Sequence, residues 1–207
     1  AYPAGDRFGD PLSATEIADR AHDDPFRVVF LGTVTPRKGL DTLLAGLARL
    51  HCDWDLTVLG SLSADESYAE SVARLVGDLG LADRVTLAGR VPDDRLRTEL
   101  RRGHVLAMPS AYEGFGIAYL EGMCFGLPAL ASTAGGASEL VTHRADGWVV
   151  DPGDPSEIAD ALAPVCRKRD RLARMGLAAA DRYRDHPTWA ETASTIRAFL
   201  TDVSESD

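Results

Sequence analysis

The chain has 207 residues, 45% hydrophobic and 26% charged, which suffices for one sizeable core and lacks the low-complexity or like-charge tracts of a disordered protein. Its formal net charge of −10 excludes a broad nucleic-acid surface, which needs clustered Lys and Arg, but leaves room for a small phosphate ligand held by one or two local cations. Cys52, Cys124 and Cys166 are widely spaced and form no Cys-x-x-Cys pair, so structural thiols in a reducing compartment are expected rather than a disulfide framework.

Residues 1–25 are rich in Gly, Pro and Asp and read as a linker, with one short helix opening at the capping box Ser13-x-x-Glu16. Short apolar runs then alternate with segments of helical period, the pattern of a parallel sheet with crossover helices. Val28 to Leu31 is the first predicted strand, and Leu40, Leu43, Leu44, Leu47 and Leu50 mark one buried face of the helix after it. Leu56 to Leu59 is the second, followed by a helix through Ala69, Val72, Leu75, Val76 and Leu79 that Gly80 closes as a left-handed cap. Val85 to Leu87 and a helix marked by Leu96 and Leu100 make the third unit, and Val105 to Met108 with a helix from near Gly116 the fourth. Ala129 to Ala131 leads to a short helix at Ser138 to Val141, and the Asp146-Gly147 turn opens a sixth strand, Trp148 to Val150. Asp154-Pro155 is an N-cap with proline at the first helical position, and helices are predicted from there to about Leu200.

A sheet of this kind binds ligands outside the carboxyl ends of its strands, so the turns there hold the candidate chemistry. The first is Gly32-Thr33-Val34-Thr35-Pro36-Arg37-Lys38-Gly39, no Walker loop but a turn that sets Lys38 at a helix amino end, suited to a diphosphate. Taken alone, it reads better as an ordinary strand-to-helix turn with solvated basic residues. The fourth is Pro109-Ser110-Ala111-Tyr112-Glu113-Gly114-Phe115-Gly116, whose glycines let backbone amides approach a ligand, with Glu121 on the helix that follows. At a helical rise of about 1.5 Å per residue the carboxylates of Glu113 and Glu121 stand on the order of 10 Å apart, better placed to grip two ends of an elongated ligand than one glycosidic bond, although taken alone they read as a capping and a surface glutamate. Gly135-Gly136 with Ser138 and Glu139 is a third ligand-facing turn or simply a helix start. Asp53-Trp54-Asp55 precedes the second strand, on the wrong edge for the site; the five histidines show no metal-ligand spacing, and no nucleophile elbow appears, so neither a metal nor a nucleophilic triad is assigned.

Together these turns, over residues 26–185, resemble the carboxyl-terminal domain of the GT-B-fold retaining glycosyltransferases, the group that includes bacterial glycogen synthases, sucrose synthases and phosphatidylinositol mannosyltransferases. The resemblance rests on Gly32 through Lys38-Gly39, Leu81-Ala82-Asp83-Arg84-Val85, Gly89-Arg90-Val91-Pro92, Pro109-Ser110 and Glu113-Gly114-Phe115-Gly116 through Glu121. It continues through Gly126-Leu127-Pro128, Gly135-Gly136 with Glu139, and Gly147 before Pro152-Gly153-Asp154. It implies a Rossmann-like α/β fold and a nucleotide diphosphate sugar as donor, with no cofactor. In the roles it implies, Lys38 contacts the diphosphate, and Glu113 with the backbone of Phe115 to Ile117 holds the transferred sugar and its phosphate. Glu121 accepts from the ribose hydroxyls, and backbone near Arg90 and Val91 lies along the base. Glu113 and Lys38 are thus carried over as catalytic, and Gly32, Thr33, Arg37, Ser61, Gly114 and Gly116 join the donor-binding set. The sequence departs from the family at Thr33, where an arginine is common, and at Gly60-Ser61-Leu62-Ser63, which lacks a further glycine.

The resemblance also implies a missing amino-terminal acceptor domain, with residues 1–25 as the linker from it, 26–185 as the donor domain and 186–207 as a carboxyl-terminal helix and tail that packs towards it. Retention of anomeric configuration is expected, as is little or no transfer by this domain alone. The opening residues lack the regions of a signal peptide and no run approaches the roughly 18 apolar residues of a membrane span, so a cytoplasmic protein is expected, with membrane contact only through the missing domain and no nucleic-acid partner. A sugar-nucleotide epimerase of similar fold and a non-catalytic sugar-nucleotide-binding module are the competing readings.

Overall fold

In the computed structural model, which describes residues 2–205, the apolar runs form six strands: β1 (Phe26–Leu31), β2 (Trp54–Leu59), β3 (Val85–Gly89), β4 (Val105–Ala107), β5 (Ala129–Ser132) and β6 (Gly147–Val150). All pair in parallel in the order β3-β2-β1-β4-β5-β6. The helices are α1 (Ala14–Ala21), α2 (Leu40–Leu47), α3 (Glu66–Asp78), α4 (Asp93–Arg102), α5 (Ile117–Cys124), α6 (Ala137–Leu140), α7 (Pro155–Arg167), α8 (Arg169–Asp185) and α9 (Trp189–Glu205). Because helices cover the sheet, β4 and β5 are buried at every residue instead of alternating, which is why their sequences read as continuous apolar runs. The fold is the Rossmann-like parallel sheet expected of one half of a GT-B enzyme.

Local signals hold where they were specific. Ser13 and Glu16 form the reciprocal capping box of α1, and Asp154 accepts from the amides of Ser156 and Glu157 to start α7 behind Pro155. Gly80 adopts φ +68 after α3.

Two expectations are corrected. The stretch read as a linker is part of the packed domain: Phe8, Leu12, Ile17 and Ala21 are buried in the common core and α1 lies against α8. Its Gly, Pro and Asp content set the path of the backbone, whereas a few apolar side chains set its burial. The cysteines are not all thiols: Cys52 and Cys166 form a disulfide with Cα atoms 6.5 Å apart, and Cys124 is a buried free thiol. The partners are 114 residues apart in sequence. They meet because α7 packs against α2, bringing the end of α7 beside the loop between α2 and β2.

The first turn of α9 is tied back to the amino-terminal segment, Thr192 Oγ1 donating to the Tyr2 carbonyl at 2.9 Å and the Trp189 amide to Asp6 at 3.2 Å. Beyond that turn Ile196, Phe199, Leu200 and Val203 are exposed.

Candidate functional site

The strand order reverses between β1 and β4, so the chain leaves these neighbours in opposite directions and opens a crevice at their carboxyl ends. The loops after both strands meet there. The Ala111 amide donates to the Arg37 carbonyl at 2.7 Å, and the Arg37 guanidinium donates to the Tyr112 carbonyl at 2.7 Å. The turn after β1 is also joined to the next one, with the Val34 amide donating to the Ser61 carbonyl at 2.9 Å, and the Gly60 amide in turn donates to the carbonyl of Gly89, the last residue of β3, at 2.9 Å. On the other side the Gly136 amide donates to the Glu113 carbonyl at 2.8 Å. Gly135 is required at that contact, because at φ +92 a Cβ would fall 2.1 Å from the Glu113 carbonyl oxygen.

This lattice of backbone contacts holds two opposite charges together. Lys38 Nζ lies 2.5 Å from Glu113 Oε2, with the two side chains only 12% and 14% exposed, and Ser110 Oγ stands 3.5 Å from the same oxygen. Beside them α5 begins after Gly116, which offers no side-chain cap; the Tyr119 amide is taken by the Gly116 carbonyl at 2.8 Å, and the uncapped amino end of the helix suits an anion. Tyr119 anchors that turn, its hydroxyl donating to the Met108 carbonyl at 2.7 Å, and burial pushes the phenol well above its ordinary range.

Glu121 lies further along α5, 12% exposed at its side chain, and its partner is Arg7, whose Nη1 stands 3.3 Å from Oε1. Burial pushes the Glu121 carboxyl up, Arg7 pulls it down, and Asp93 adds a small push upwards. Gly32, Thr33, Arg37, Lys38, Glu113, Gly114, Phe115, Gly116 and Ile117 thus share the two joined loops and the helix start. Ser61 sits on the adjoining turn, its hydroxyl 3.2 Å from that of Ser63, and Arg90 and Val91 follow Gly89 at the end of β3. Thr33 is exposed at the crevice, while Arg37 is committed to the Tyr112 carbonyl. Glu139 is exposed on α6. Asp53 lies at the opposite sheet edge, 4.0 Å from Arg84, and Trp54 and Asp55 belong to β2 itself.

Two contributions were missed in the sequence. Arg7 is one; the other is the ring cluster on Phe115, with Tyr2 at 5.9 Å and His186 at 5.6 Å between centroids. The available signal was Phe8, a large apolar residue in a polar stretch and therefore a point where that stretch is pinned to the core.

The profile of the family "Glycosyl transferases group 1" matches residues 14–182. A GDP-mannose-dependent alpha-(1-6)-phosphatidylinositol monomannoside mannosyltransferase of Mycobacterium tuberculosis is 34% identical over 94% of this chain and 53% of its own length. A D-inositol 3-phosphate glycosyltransferase of Nocardia farcinica is 33% identical over 92% of this chain and 43% of its own. The chain therefore spans about half the length of the curated relatives it matches. Among solved structures, Anabaena HepE in complex with UDP superposes with a TM-score of 0.82 at 24% identity, covering 93% of this chain and 54% of that one. The C-terminal domain of a glycosyl transferase group 1 family protein from Francisella tularensis superposes with a TM-score of 0.72 at 20% identity, over 87% of this chain and 96% of that domain. With its family profile, its relatives and its fold in agreement, this chain belongs to the group 1 glycosyl transferases.

Proposed function

We propose that this chain is the donor-binding domain of a retaining glycosyltransferase that moves a sugar from a nucleoside diphosphate to an acceptor held by a second domain. One observation carries the reading: Lys38 and Glu113 meet at the switch point of the sheet, beside the open amino end of α5. A diphosphate there takes Lys38 and the α5 amides, and Glu113, released from its cation, turns to the hydroxyls of the transferred sugar. The same donors stabilise the charge that grows on the leaving phosphate as the sugar–oxygen bond breaks. Attack by the acceptor hydroxyl on the face the phosphate leaves, with the phosphate taking the hydroxyl proton, retains configuration and asks for no nucleophilic side chain. Glu121, Ser61, Arg90 and Val91 are assigned to the nucleoside end of the same ligand.

Relatives of about twice the length support a separate acceptor domain, and the exposed apolar residues of α9 are the surface through which this domain would meet it. The donor domain is then residues 26–185 together with the amino-terminal segment packed on it, and alone it transfers little or nothing. The reading includes the cytoplasm as the place of action, against which the Cys52–Cys166 disulfide stands, since reducing compartments keep such pairs open.

Calorimetric titration of the 207-residue chain with UDP, GDP and ADP tests the site. One diphosphate is expected to bind, and Lys38→Ala and Glu121→Ala are each expected to weaken it by about tenfold or more, the loss of one charge-assisted hydrogen bond. Binding that neither substitution alters would remove the donor from this crevice.

A further inference from the structure

The segment ahead of β1 reaches the donor crevice with a residue that the roles assigned so far do not use. Gly5 passes so close to α5 that a Cβ there would lie 2.5 Å from Leu120 Cβ. The single 3₁₀ turn that follows, Asp6–Phe8, buries Phe8 against Phe125, with ring centroids 5.3 Å apart. The Arg7 guanidinium then sits over the Phe8 ring, 5.2 Å from its centroid, and Arg97 of α4 over the same ring at 5.1 Å. From this seat Arg7 spans two elements, with Nη1 3.3 Å from Glu121 of α5 and Nη2 bonded to Asp93 of α4. A guanidinium fork that bridges two carboxylates fixes both in direction as well as in charge.

We propose that Arg7 is a positioning residue of the donor site, holding the Glu121 carboxylate in place to accept from the ribose hydroxyls of the nucleotide. The inference rests on the donor-site reading above. Glu121 projects from a helix whose surroundings bury it, and an unsupported carboxylate in such a place turns away or takes a proton. Arg7 prevents both. The charged groups facing Glu121 are Arg7 from the 3₁₀ turn and Asp93 from α4, and Arg7 opposes both the burial and Asp93. Removal of Arg7 therefore moves the protonation of Glu121 to higher pH, and nucleotide binding that needs the carboxylate is lost earlier on acidification.

The test compares the nucleoside diphosphate that the unaltered chain binds, its 2′-deoxy form and inorganic pyrophosphate, titrated from pH 5.5 to 8 against the unaltered chain, Arg7→Ala and Arg7→Gln. The unaltered chain is expected to prefer the ribose form over the deoxy form. Arg7→Ala is expected to lose most of that preference, to weaken the ribose form by about tenfold, the worth of one charge-assisted hydrogen bond, and to leave pyrophosphate binding unchanged. Its acid limb moves to higher pH. Arg7→Gln, which keeps a hydrogen-bond donor without the charge, is expected to retain part of the ribose preference with the acid limb still displaced, a split that a purely structural role would not produce. A folded Arg7→Ala chain that keeps both the ribose preference and the pH profile overturns this inference alone. Failure of the unaltered chain to bind any nucleoside diphosphate overturns the donor-site reading and this inference with it.

Discussion

Lys38 and Glu113 neutralise each other in a crevice where water has little access, each with at most 14% of its side chain exposed. Removing one partner strands the other, and the cost of an unpaired, largely desolvated charge exceeds the net worth of the pair. Lys38→Met is therefore expected to lower the unfolding free energy by about 1–3 kcal/mol. Adding Glu113→Gln should restore part of the loss, with a coupling energy of about 0.5–3 kcal/mol by denaturant unfolding without ligand. Strict additivity would mean that the contact contributes nothing. Both residues were picked out in the sequence by the family resemblance; their place in turns at the carboxyl ends of strands, where a parallel sheet collects its ligands, did not by itself separate them from a solvated turn and a cap. Their mutual contact was not: which turns adjoin depends on strand order, and no residue in either loop encodes it. Arg7 was illegible for the same reason, since its partners Glu121 and Asp93 are 114 and 86 positions away.

At the scale of elements, two arginines of the segment ahead of β1 hold α5. Arg7 takes Glu121 within the helix, and Arg20 of α1 donates to the carbonyls of Phe125 and Gly126, just past its carboxyl end, at 2.6 and 2.9 Å. A cation there also suits the negative end of the helix, although burial lowers the Arg20 guanidinium to about 10. Arg20→Ala leaves both carbonyls without that donor and is expected to destabilise the domain by about 1–3 kcal/mol. Amide exchange should accelerate in the last turn of α5. An exchange pattern unchanged there would detach α1 from the integrity of the site. The strands and long helices were readable because apolar period and caps act locally, as Ser13 with Glu16 and Asp154 with Pro155 show. The docking of α1 was not, because eight residues with Ile17 and Ala21 as their buried apolar members give too weak a period to distinguish a packed helix from a tethered one.

Across the whole molecule the two edges of the sheet do different work. The Cys52–Cys166 bridge closes a separation of 114 residues at the amino edge, and the crevice proposed for the donor occupies the carboxyl edge. Opening the bridge, with a reductant or by Cys52→Ser, is expected to lower the unfolding free energy by about 2–4 kcal/mol, with nucleotide affinity in the remaining folded protein unchanged. Equal stability with and without reductant would show the pair open in solution. A donor arriving at the other edge carries negative charge towards a chain of net −10 whose Lys38 is already cancelled by Glu113. On the donor-site reading, then, no long-range field draws the ligand in, and like charge slows its approach at low ionic strength while added salt eases it. Such a site captures its substrate by chance collision and selects by residence: only a ligand that trades places with Glu113 on the lysine stays long enough to react.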